Sequence, residues 1–303
     1  MENTCLVDFS IIIVTRNRPD ELRKCVDSIT RTGYSNLELI VVDNNSEEKS
    51  SSRNKVIIEK ASILHKTMKH NSENRGVSGG RNDGISLAKG KYLFFIDDDA
   101  YIIDREFFAK AKAIFETREK TGIVSCNIVD TVKWILIKGE VYRNSEGDLN
   151  ALSFRGGGHF IRRQLFVEKV IPVYPNSLFY GNEELYLSYL ALGQGVEILF
   201  APELIVIHNP SESERVNTKQ ARINNIVNKA VVNLLVLPTK YRRRILLNFT
   251  LRMIKYFSLD PISFVRAVLL LKKRSVHERI DDSSVRVTND TVKFLLRFDR
   301  HLF

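Results

Sequence analysis

Three aspartates in a row, Asp97-Asp98-Asp99, follow the apolar run YLFFI. Adjacent carboxylates repel one another, and packing a fold does not require them. A divalent cation relieves that repulsion: Mg2+ and Mn2+ take carboxylate oxygens together with substrate phosphates. The bland alternative is a solvated acidic turn, but strand ends are where open α/β sheets hold ligands. Asp43 ends a second apolar run, LELIVV. A carboxylate there either accepts hydrogen bonds from a ribose or base, or closes an Asx turn or caps a helix. Residues 74–84, NRGVSGGRNDG, lead into a helix. Glycine permits tight backbone, and arginine near a helix N-terminus attracts phosphate, although the segment is neither a Walker A loop nor a dinucleotide fingerprint. Glu183-Glu184 open another helix, where acids either answer the helix dipole or remove a proton from a hydroxyl. His208, just before Asn209-Pro210, is either structural or a third metal ligand beside the aspartates.

The elements that must position these groups alternate in the first 100 residues. FSIIIV at 9–14, LELIVV at 37–42 and YLFFI at 92–96 read as buried strands. Helical spacing at 20–30 and a helix end at 84–88, stopping near Gly90, separate them. The pattern predicts an α/β fold: a mostly parallel sheet with helices on both faces. Beyond it, 107–120 reads as a helix, 122–127 as a strand and 128–153 as a loop or hairpin excursion containing Trp134. Three consecutive glycines within 155–163 suit close approach of backbone to a ligand. A helix at 182–192 and short strands at 196–200 and 204–207 follow. From about 215 the chain reads as a helical extension, with helices at 219–237, 241–257 and 262–273 punctuated by Pro238 and Pro261.

A 303-residue chain holds one large domain, or one with an appendage. Its 44% hydrophobic and 27% charged residues exclude a disordered protein. The net charge of +10 is unevenly spread: residues 210–303 hold 19 Lys/Arg against 8 Asp/Glu, while the first 209 hold 27 against 28. A main domain so balanced is not expected to bind nucleic acid. Cys5, Cys25 and Cys126 show neither disulfide nor zinc spacing. With no secretory-type start and no run of about 18 apolar residues, the expected place is the cytoplasm. In the tail, YRRRILLNFTLRMIKYF and ISFVRAVLLLKKR combine apolar faces with Lys/Arg clusters. Such helices suit an anionic membrane surface, a cap on the main domain or a dimer interface, and sequence alone weighs these equally.

The order of the motifs says more than any one of them. SIIIVTRNRPDELRKCVDSI, LELIVVDNNS, NRGVSGGRNDGISLAKGKYLFFIDDDA, GGGHFIRRQLF and GNEELYLSYLALGQGVEILFAPELIVIHNP strongly resemble the family 2 glycosyltransferases of the GT-A fold, over about residues 8–210. The resemblance implies a catalytic domain at 1–210, with a nucleotide-binding half at 1–100 and an acceptor-side half at 101–210, and a basic helical region at 211–303. It implies that Thr15, Asn17 and Arg18 contact the nucleotide, that Asp43 reads the base, and that Arg81 and Asn82 lie in a loop against the nucleoside diphosphate. Asp97 and Asp99 match the ends of the family's DxD motif, the first toward the ribose and the last on Mn2+ or Mg2+. Asp98 is grouped with the nucleotide-sugar contacts, and Asp97 and His208 with Asp99 around the metal. Glu183-Glu184 match an acidic pair whose second member is the usual base.

The implied reaction is inverting transfer of a sugar, UDP-linked by preference, to a hydroxyl of a glycan or lipid-linked glycan, as in bacterial surface polysaccharide synthesis. It would take place in the cytoplasm or peripherally on the inner face of the cell membrane, and an oligomer is compatible with it. The chain departs from the family at Glu184, where Asp is common, and at Tyr186 and Tyr189, where relatives often carry Asp and Arg. A sugar-phosphate nucleotidyltransferase is the rival enzyme, but it would want a Gly-rich loop where Thr15-Arg16-Asn17-Arg18-Pro19 stands. A non-catalytic nucleotide-sugar-binding protein would explain the fold, but not an acidic triplet together with an acidic pair and His208.

Overall fold

The computed structural model describes residues 7–131, 135–137, 140–210, 219–257, 260–277, 286–299 and 302. Period-2 alternation in strand β1 (Phe9–Thr15) divides the core. Ile11 and Ile13 join one apolar cluster and Ile12 the other, on opposite faces of the sheet. On the Ile11 side, helices α1 (Pro19–Arg31), α2 (Glu48–Lys60) and α4 (Phe107–Thr117) bury residues such as Leu22, Ile57 and Phe108. The Ile12 side is covered by α3 (Gly76–Leu87), α6 (Glu183–Gly193) and the C-terminal helices α7 (Lys219–Val236), α8 (Arg242–Phe257), α9 (Pro261–His277) and α10 (Asn289–Phe298). A short helix, α5 (Gln164–Val167), lies between α4 and α6 in the chain.

The remaining strands are β2 (Leu37–Asp43), β3 (His65–His70), β4 (Tyr92–Ile96), β5 (Ala100–Ile102), β6 (Thr121–Asp130), β7 (Ile135–Ile137), β8 (Val141–Arg143), β9 (Leu149–Ala151), β10 (Gly158–Arg162) and β11 (Glu197–His208). They form an 11-stranded sheet in the order β3-β2-β1-β4-β10-β6-β11-β9-β8, with β5 paired to β11 and β7 to β6. Pairing among β3, β2, β1 and β4 is parallel. β10 runs antiparallel between β4 and β6, and β11 lies parallel to β6. β1, β4, β6 and β11 therefore point the same way, and their carboxyl ends meet along one edge.

Some elements differ from the sequence patterning. β3 carries no apolar signature (HKTMKH) because it is an edge strand with little burial. The two short strands expected at 196–200 and 204–207 are one strand, β11, with an irregularity between Ala201 and Ile205 where Pro202 interrupts the ladder. The glycine-rich segment after Asn74 is helical from Gly76 onward. Its glycines act in packing: a Cβ at Gly80 would lie 2.6 Å from Val14, and one at Gly84 2.4 Å from Ile12. Spaced four apart, they let α3 lie directly on β1. The C-terminal helices share a cluster with the sheet, where Tyr186 and Leu187 of α6 are joined by Val227 and Val231 of α7. Tyr186 and Tyr189, two of the departures from the family pattern, are both buried there.

Candidate active site

Sheet register brings His208 to the aspartates. Asp97 follows β4, and β5 begins at Ala100 and pairs antiparallel with the end of β11, so that Ala100 faces His208. The backbone N–H of Asn209 then donates to the carbonyl of Asp99 at 3.0 Å. His208 Nε2 stands 3.3 Å from Asp99 Oδ1. Asp97, Asp99 and His208 each offer one ligand atom, and these atoms lie within 4.8 Å of one another. His208 Nδ1 is buried without a hydrogen-bond partner among the described residues. Two carboxylates and an imidazole suit a divalent transition ion, and the nitrogen makes them a poorer fit to Mg2+, which prefers oxygen throughout. Burial disfavours the His208 imidazolium, but its hydrogen bond to the Asp99 carboxylate and the charges of the nearby acids outweigh this and raise the pKa.

Asp98 points elsewhere. It accepts from Thr15 Oγ1 at 2.7 Å and from Arg18 Nη1 at 2.8 Å, and Arg18 Nη2 reaches Asp99 at 3.3 Å. Burial pushes the Asp98 carboxyl up to about 7 despite Arg18. The middle aspartate thus ties the end of β1 to the triplet.

Arg81, buried and projecting from α3, is the hub of the site. It donates to Glu183 at 3.3 Å, Glu184 at 3.1 Å, Asp97 at 3.4 Å and the carbonyl of Gly156 at 3.1 Å. Burial works against its charge, but Glu184, Glu183 and Asp97 hold the guanidinium above its ordinary pKa. Beneath it lies the ring of Tyr174, 5.6 Å away. His159 Nδ1 lies 3.0 Å from the carbonyl of Arg155, so that nitrogen carries the hydrogen, leaving Nε2 to accept from the Tyr174 hydroxyl at 3.0 Å. Burial keeps His159 well below its usual pKa. At the head of α6 the two glutamates differ. Burial, then repulsion from Glu184, raises Glu183 to about 8, and its Oε2 has no hydrogen-bond partner among the described residues. Glu184 is the more open, with its side chain 18% exposed against 2% for Glu183. The triple glycine serves this cluster: a Cβ at Gly156 would sit 2.0 Å from Glu184 Oε1.

The cleft around these groups has a volume of about 1130 Å3, and its wall includes Thr15, Arg18, Arg81, the aspartate triplet, Glu183, Glu184 and His208. Asp43, Asn17 and Asn82 are not on its wall. Asp43 is fully buried; it accepts from the backbone N–H of Ser46 and the amide of Asn54. Asn17 accepts from Glu47 N at the head of α2, and Asn82 bonds the backbone of Tyr174. Arg81 and Asn82 stand in a helix, not a loop. Trp134 lies outside the described residues.

Sequence reasoning missed Asn44, which lines the cleft and binds Gly76 O and Asn74, and it missed the turn before α6. There Phe179, Gly181 and Asn182 take φ of 53°, 90° and 69°. The buried amide of Asn228 on α7 holds this turn, donating to the carbonyls of Leu178, Tyr180 and Gly181 at 3.1, 2.9 and 2.7 Å. Arg274 of α9 donates to Asn228 in turn.

The family model described as Glycosyl transferase family 2 matches residues 10–170. The chain belongs to this family. Among curated relatives, the glycosyltransferase GlyA of Streptococcus pneumoniae serotype 4 is 34% identical over 99 residues, 32% of this chain and 14% of that protein. The poly(ribitol-phosphate) beta-N-acetylglucosaminyltransferase TarP of Staphylococcus aureus is 25% identical, covering 60% of this chain and 62% of its own length. A PGL/p-HBAD biosynthesis glycosyltransferase of Mycobacterium bovis is 23% identical over 88% of this chain and 98% of its own. Solved structures share the fold as well. S. aureus TarS 1–349 with UDP-GlcNAc has a TM-score of 0.63 at 16% identity, over 90% of this chain and 83% of its own. The Pyrobaculum calidifontis mannosyltransferase PcManGT, with GDP-Man and Mn2+, has a TM-score of 0.58 at 17% identity, over 97% and 80%.

Proposed function

We propose that this family 2 glycosyltransferase moves a sugar, with inversion, from a nucleotide-diphosphate donor to a hydroxyl of a glycan or lipid-linked glycan. The observation that carries this reading is the meeting of two chemistries in one cleft: a potential cation site at Asp97, Asp99 and His208, and an acidic pair joined to it through Arg81. Residues 1–210 would supply the chemistry, with 211–303 as its helical support.

Asp97, Asp99 and His208 would hold Mn2+ or Mg2+, with Mn2+ favoured by the imidazole. Such a cation, when bound, neutralises charge on a leaving diphosphate. Glu184 is the base, since its carboxylate opens to the cleft. It takes the acceptor proton as the acceptor oxygen bonds to the anomeric carbon and the bond from that carbon to the diphosphate oxygen breaks. Arg81 orients Glu184, and Thr15 and Arg18, already bonded to Asp98, stand at the nucleotide end. Asp43, Asn17 and Asn82 act by shaping the loops and helices around the nucleotide. UDP is favoured as the nucleotide by the TarS neighbour, which carries UDP-GlcNAc, while PcManGT carries GDP-Man. A polymeric acceptor is supported by TarP.

The test is nucleotide release from a panel of nucleotide-sugars with Mn2+. Release of UDP from a UDP-sugar, lost on chelation, is expected. Pyrophosphate release, or no release from any donor, would sink the proposal.

A further inference from the structure

Helices α8 and α9 each carry two apolar stripes where a helix resting on a core needs one. On α8, Ile245, Phe249, Met253 and Phe257 are buried at a spacing of four. Leu247, Leu251 and Ile254 lie on the opposite side of the same helix, at about 100° per residue. On α9, Ser263, Ala267 and Leu271 are buried, and Ile262, Val265 and Leu269 lie opposite. These six outer residues are between 50% and 80% exposed. Both helices pack against α7 and against each other, so the outer stripes face away from the core.

Each stripe is edged by exposed cations: Arg243, Arg244 and Lys255 on α8, and Arg266, Lys272 and Lys273 on α9. Neither helix contains a single Asp or Glu. We infer that this face of α8 and α9 docks on an anionic lipid bilayer, with the apolar stripes in the headgroup–acyl boundary and the cations among the headgroups.

Charge complementarity selects this occupant. A second copy of the chain would oppose one all-cationic rim to another, and like charges brought together across an interface are unfavourable. A negatively charged headgroup layer over hydrocarbon matches both parts of the face, and long Lys and Arg stems reach upward to it while their methylenes stay apolar. No helix among the described residues is long and apolar enough to cross a membrane, so these two lie in the plane. The same layer reaches the cleft: Arg274 of α9 bonds Asn228, which holds the turn before the acidic pair. A face seated on lipid would therefore set the cleft at a constant height above the surface, whichever sugar is transferred.

Flotation of the full chain with vesicles tests this. With phosphatidylcholine plus phosphatidylglycerol the protein should float, and with phosphatidylcholine alone it should not. Added salt should weaken binding, as screening requires. The double variant Leu251→Glu/Leu269→Glu should lose binding about tenfold or more, since it removes apolar contact and adds repulsion. Its melting temperature and its nucleotide release in solution should match the parent. A parent that stays soluble with both vesicle types overturns the inference, as does a double variant that floats like the parent. A parent that sediments as a dimer, is split by the double variant and ignores vesicles would assign the face to self-association instead.

Discussion

The two sides of the cleft are held in different ways. On one side the groups sit at strand ends and hold one another: Thr15 and Arg18 bond Asp98, Arg18 also bonds Asp99, and His208 faces Asp99 across the β5–β11 pairing. On the other side, Glu183 and Glu184 follow a turn with positive φ at Phe179 and Asn182, conformations that cost about 1 kcal/mol or more each for non-glycine residues. That turn is held from outside the sheet, through Asn228 and Arg274 of the C-terminal helices. The first side inherits its geometry from backbone pairing. The second depends on packing between distant parts of the chain, and Arg81 is the direct link between them.

The two largest effects, similar in size, are expected from one substitution on each side, beginning at the strand ends. Asp99→Ala removes both a proposed cation ligand and the partner of His208, and nucleotide release should fall by about 10²–10³-fold or more. Retention of near-parental rate would show that the triplet is only a structural turn. On the other side, Glu184→Gln should lower turnover about 10²–10⁴-fold at unchanged donor affinity. Glu183→Gln should be milder; the opposite ranking transfers the role of base to Glu183.

Asn228→Ala separates the two sides. It removes one donor from each of three carbonyls and should cost about 1–3 kcal/mol in stability, read by thermal melting. Acceptor-dependent turnover should drop while donor binding, read by calorimetry with UDP, stays. An equal loss of both would mean the sides are not separately supported.

The smallest effect concerns Glu183. Its pKa is raised from 4.5 to about 8, so the folded state holds a proton there that the unfolded chain releases. That contribution to stability is complete below about 4.5 and is lost as pH rises to about 8. Melting temperature should therefore decline across this window, and Glu183→Gln should flatten the decline. A slope unaltered by the substitution would place the proton elsewhere.

Much of the strand-end cluster is legible in residue order. The aspartate triplet stands out because adjacent carboxylates repel one another, whereas His208 reads equally as structural until the fold brings it beside Asp97 and Asp99. Glu183 and Glu184 are equally visible, but not their inequality, which comes from how deeply each is buried. Asp43 and Asn17 illustrate the limit. The same residue types serve a ligand or a turn, and here their polar atoms are used by Ser46, Asn54 and Glu47. Asn228 carries no sequence signal, being one asparagine in a helix, and its importance arises from the three carbonyls set against it.

What the sequence determines by itself is local: which runs are strands, which are helices, and which residue types stand at their ends. Side-chain period and capping chemistry act within a few residues, so they can be read in order along the chain. Tertiary structure alone decided that Ala100 pairs opposite His208, that Gly80 and Gly84 let Arg81 in among four acidic and carbonyl partners, and that the basic C-terminal helices hold the turn before Glu184. Those outcomes follow from strand register and helix packing between residues far apart in the chain, which no local pattern encodes.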